Sequence, residues 1–203
     1  MALNDAQRRD LKDLREAARQ RDPQQAQYLA KRLIGQIAYY HALALVVGQL
    51  YEFIDIFESY YPDETWIRRA LVSIASFGTP PDDGIAQMAL EQAYHEPGAA
   101  NFVKAFYDVT QAMQTRHTPE ARVGYLTSAL VNVVMAALVE AWYGERPEAW
   151  QYQRQNPGDP DALELAYLFW TDDETAQLDT ALWLDIADGI EQALARQAAP
   201  PDL

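Results

Sequence analysis

The chain has 203 residues, with 30 acidic side chains against 16 basic ones and a formal charge of −14 at pH 7. That balance excludes binding that works by neutralising nucleic-acid phosphates or by docking on an anionic membrane face, and it admits a basic partner. The absence of cysteine removes disulfides, thiol catalysis and thiolate metal centres, and the charged opening MALNDAQRRDLKDL is no secretory signal, so the expected location is the cytoplasm.

A chain of this length can bury a substantial core as one domain, residues 1–203. The first predicted helix covers residues 5–21, with Asn4 as its N-cap. Its sizeable apolar residues are Leu11 and Leu14 alone, so residues 1–22 read as a peripheral helix packed on one edge and open to fraying. Asp22-Pro23-Gln24-Gln25 is a helix start, with a capping Asp and a Pro at the first helical position. The proline-free stretch 24–61 then reads as one long helix or two nearly collinear ones. Leu33, Tyr40, Val47, Ile54 and Tyr61 recur every seven residues beside a second row of Leu43, Leu50 and Phe57. An apolar arc that wide marks a helix covered on several sides. Its cleanest apolar run, residues 37–51, contains His41 and Gln49 and is shorter than the roughly 20 residues of a membrane span.

Tyr61-Pro62-Asp63-Glu64 closes that helix and opens the next, which stops at Gly78. Residues 79–84 form a loop, residues 85–95 a short helix broken by Pro97-Gly98, and residues 99–116 a further helix. Thr118-Pro119-Glu120 opens a helix over 119–143 that is apolar nearly all round. It is long enough to span a membrane, but Ser128, Asn132 and Glu140 interrupt it and the remaining chain is amphipathic, so it reads as the second central helix of a soluble bundle. A short helix is expected near 148–153, then the turn cluster Asn156-Pro157-Gly158-Asp159-Pro160, a helix over 161–170, and a last helix capped by Thr171 and reaching 197. Residues 156–203 hold eleven acids against the single Arg196, and residues 198–203 are expected to form a disordered tail. No segment alternates apolar and polar residues as a strand does. The fold class is therefore all-α, a bundle of seven or eight helices around 24–61 and 119–143.

Along the first central helix runs a polar stripe of His41, Gly48, Glu52, Asp55 and Glu58. At 1.5 Å per residue His41 lies roughly 16 Å from Glu52, too far to share an ion bound at about 2 Å. Gly48 marks a place for a close helix crossing. Glu52, Asp55 and Glu58 remain as candidate ligands for Mg²⁺, given further carboxylates from a neighbouring helix. Glu52-x-x-Asp55 resembles one fragment of the all-α nucleotide pyrophosphohydrolases, which gather acids from two helices around Mg²⁺. That resemblance makes Asp185-x-x-Asp188 the second pair, although the family's run of glutamates has no match. Taken by themselves, Asp185, Asp188 and Glu191 lie opposite the row Leu178, Leu182, Ile186, Ile190 and Leu194, the pattern of a solvated face.

The three histidines do not cluster, and neither a phosphate-binding Gly-rich loop nor a nucleophile elbow is present. No catalytic residue is assigned and no cofactor is expected. Trp142, Trp150, Trp170 and Trp183 gather in the last third with Tyr143, Tyr152, Tyr167 and Phe169, either filling the core or lining an aromatic pocket. The function these features favour is a non-enzymatic protein–protein interaction, adaptor or chaperone-like module, with a protein partner or a second copy of itself as a homodimer. The alternatives are a Mg²⁺-dependent phosphohydrolase using Glu52 and Asp55, and a bundle that binds a small molecule in an aromatic pocket.

Overall fold

The chain folds as an all-α bundle in a computed structural model that describes residues 3–81 and 83–198; the predicted tail, apart from Ala198, lies outside the described residues. Among these residues there are ten helices and no strand: α1 (Asp5–Arg19), α2 (Pro23–Ile34), α3 (Tyr39–Tyr60), α4 (Trp66–Phe77), α5 (Asp83–Glu91), α6 (Ala99–Met113), α7 (Pro119–Tyr143), α8 (Pro147–Gln155), α9 (Pro160–Thr171) and α10 (Asp173–Ala198). Local chemistry sets most boundaries. Asn4 and Gln7 form a capping box on α1, Asp22 accepts from the Gln25 amide at 3.0 Å, and Thr118 accepts from the Ala121 amide at 3.2 Å. Gly78 ends α4 at φ 60°, where a side chain would be strained.

The count exceeds the predicted seven or eight chiefly because residues 24–61 are two helices. After Ile34 the chain tightens: the Gln36 and Ile37 amides bond to the Leu33 and Ile34 carbonyls, and Ala38 turns extended. The freed groups find a partner in Gln197 of α10. Its side-chain oxygen accepts from the Ala38 amide at 2.6 Å and its Nε2 donates to the Gln36 carbonyl at 3.4 Å. Ile37 is thereby turned into the core, and the seven-residue row loses its phase: Tyr40 is 74% exposed, while Leu33, Val47 and Ile54 are buried. A second correction concerns α10. Thr171 bonds back to the Tyr167 carbonyl and closes α9, whereas the Asp172 side chain accepts from the Thr175 amide and caps α10.

α7 lies at the centre, packed against α2, α3, α6, α8 and α10; α3 packs against α4, α6, α7 and α10. The polar residues of α7 have a tertiary partner. Asp108 of α6 is 1% exposed, and its carboxylate accepts from Ser128 at 2.7 Å and Asn132 at 3.3 Å while pairing with Lys104. A buried carboxylate needs that satisfaction. α7 is the one described helix long and apolar enough to cross a membrane, and half of its most apolar stretch is buried within the bundle. α1 closes one side: Leu11 and Leu14 are buried, Arg15 pairs with Asp188 and Glu191 of α10, and Asp10 with Arg32 of α2.

Candidate protein-binding face and neighbouring clefts

α9 is apolar on more of its circumference than the bundle covers. Asp159 caps it, accepting from the Asp161 amide at 3.0 Å, and Pro160 takes the first helical position. Its inner side is packed: Ala162 and Phe169 are buried, and the Phe169 ring lies 5.8 Å from Trp142 and 5.7 Å from Tyr143. On the outer side Leu163 is 59%, Tyr167 67% and Trp170 58% exposed. Steps of four and three residues place these within about 60° of one another, a single stripe two turns long. Leu168 widens it, so among the described residues four of the nine exposed large hydrophobic ones lie on this one short helix. Tyr152 of α8, also exposed, extends the surface past the start of α9 and donates its hydroxyl to Asp159 at 3.0 Å. That bond raises the Tyr152 phenol above its ordinary value, so it stays a protonated donor. Acids flank the stripe along the chain, Asp159, Asp161 and Glu164 before or within it and Asp172, Asp173 and Glu174 after it, with Asp172 and Glu174 lining a small cleft beside Arg146.

The predicted aromatic cluster therefore divides. Trp142 and Trp183 are buried, Trp170 faces outward, and Trp150 is half-buried, its indole donating to the His95 carbonyl at 2.6 Å. Trp150 lines a cleft of about 540 Å³ with Tyr60, His95, Tyr143 and Arg154. Spacing on α9 carried the signal for the outward stripe, but only the packing of Phe169 shows which apolar side stays uncovered.

The polar stripe of α3 is also taken apart. Arg68 of α4 lies between Asp55 and Glu58, donating its Nε to both Glu58 oxygens at 2.9 Å and its Nη2 to Asp55. These paired carboxylates hold the guanidinium charge firmly in place. Glu52 turns instead toward α10 and lines a cleft of about 360 Å³ with His41, Gly48, Asp185 and Arg196. Of the pairs drawn together by the pyrophosphohydrolase resemblance, Glu52 and Asp185 meet at this cleft, while Asp188 is bound to Arg15. Among the described residues no group of three His, Asp or Glu side chains is placed to hold a metal ion. Asp185 accepts from Gln49 at 2.9 Å, so the acidic side of α10, though exposed, also ties the helix to α1 and α3. Gly48 is not the close crossing either: a Cβ there would meet nothing within 4 Å, whereas one on Gly189 would press on Leu45.

Neither family models, nor curated proteins, nor solved structures give a match to this chain.

Proposed function

We propose that the chain is a non-enzymatic interaction module whose α9 docks a basic amphipathic helix of another protein. The observation that carries this reading is the outward stripe of Leu163, Tyr167 and Trp170 on a helix whose opposite side is already buried. Contiguous exposed apolar surface with large aromatics is the composition of binding hot spots. The flanking acids choose the occupant. A second copy docked antiparallel through the same stripe would set the acids at one end of α9 against those at the other, and like charges across an interface are costly. A helix with apolar residues at i, i+3/i+4 and i+7 and Lys or Arg beside them satisfies both stripe and border.

The test uses a fluorescent Leu/Lys amphipathic helical peptide and its Leu/Glu counterpart as probes. The Lys peptide is expected to bind saturably and to weaken with added salt, and the Glu peptide not to bind. Replacing Leu163, Tyr167 and Trp170 together by Ser is expected to reduce affinity at least about thirtyfold, since one central anchor is worth about 2 kcal/mol. Because those side chains are exposed, the variant should keep the wild-type circular dichroism spectrum. Equal binding of both peptides, undiminished binding by the triple variant, or a dimer held together through α9 would overturn the reading.

A further inference from the structure

Beyond the α9 face, one cavity has the chemistry of a ligand site. Where α2 ends and α3 and α7 begin, a cavity of about 260 Å³ is lined by Ile34, Ile37, Ala42, Val123 and Leu126, with one charged residue, Arg122. The Nε of Arg122 is buried and has no hydrogen-bond partner. Among the described residues no ion pair joins Arg122 to a carboxylate, in a chain with 30 acids. A buried unpaired donor on a cation is costly, and a matching acceptor removes that cost.

Three features place the guanidinium for use. Its centre lies 5.4 Å from the Tyr39 ring centroid, and the Tyr39 hydroxyl is itself anchored to the Ala112 carbonyl at 3.1 Å. The first residues of two helices, Tyr39 of α3 and Pro119 of α7, line the same cavity. The first turn of α3 has no acidic residue and no side-chain cap of its own, so among the described residues its only acceptor from the chain is the neutral Gln197 amide oxygen on Ala38 and no negative charge faces it. The other walls are aliphatic.

We infer that this cavity binds a small monocarboxylate with an apolar body, an aliphatic or aryl acid, its carboxylate on Arg122 and its hydrocarbon against Ile34, Ile37, Val123 and Leu126. A single guanidinium balances one negative charge, and its fork matches a carboxylate. A phosphate dianion would leave charge uncompensated among aliphatic walls. The volume, just below the 300–1,000 Å³ typical of drug-sized ligands, limits the body to a short chain or one ring.

Hexanoate and benzoate are the probes, with hexanamide as the uncharged control, and thermal unfolding and titration calorimetry are the readouts. Hexanoate or benzoate is expected to raise the melting temperature saturably, and hexanamide to bind at least about tenfold more weakly. Arg122→Met keeps the stem that packs in the cavity and is expected to lose the preference for acid over amide. Val123→Phe fills the cavity and is expected to lose binding of all three probes, and it serves as the test if the Arg122 variant does not fold. Equal binding of hexanoate and hexanamide, unchanged hexanoate affinity in Arg122→Met or in Val123→Phe, or no shift with either acid at about 10 mM would overturn the assignment.

Discussion

Asp179 of α10 shows how much a single residue depends on what covers it. Desolvation raises its carboxyl above the ordinary range, and the Trp183 side chain and Arg21 only partly offset this. A carboxylate raised in the folded state favours folding fully below its unfolded value, near about pH 4, and that advantage is lost as pH rises through the folded value. At neutral pH the ion is therefore a burden, and Asp179→Asn is expected to raise the melting temperature at pH 7, with the gain shrinking toward pH 3. An equal or larger gain at pH 3 would contradict this. The caps Asn4 and Asp22 were legible in the sequence because each bonds to an amide three residues away. The pairing of Arg68 with Asp55 and Glu58 was not, because it depends on how α4 folds back beside α3.

At the scale of elements, two glycines separate helix propensity from helix packing. Gly48 lies inside α3 with nothing within 4 Å of an added Cβ, so Gly48→Ala should stabilise the protein by about 0.5–1 kcal/mol through propensity alone. Gly98 caps α6 at φ 73°, and a Cβ there would collide with the Ala136 carbonyl of α7. Gly98→Ala should therefore cost more than about 3 kcal/mol, strain and collision acting together. Urea unfolding of the two variants checks both signs, and a neutral Gly98→Ala would show that α6 and α7 can separate without loss. The break between α2 and α3 belongs to this scale too. Gln197, more than 150 residues later, supplies the bonds that hold it. A proline-free apolar stretch therefore left one long helix and two nearly collinear ones both open.

For the whole molecule, an excess of 14 negative charges opposes compaction. Raising NaCl from about 20 to about 200 mM shortens the screening length and should raise the melting temperature; a fall would mean that ion pairs such as Arg15 with Asp188 and Glu191 outweigh the repulsion. The same charge, concentrated after residue 156, gives the α9 stripe its acidic border. The sequence by itself determined the all-α class, most helix ends and the two apolar axes, because caps, prolines and helical periodicity act over a few residues. The tertiary structure alone decided which apolar side of α9 is left bare, that Arg68 occupies Asp55 and Glu58, and that Arg122 pairs with no acid among the described residues. Each of these depends on residues far apart in the chain, and periodicity carries no information about which helix will cover which face.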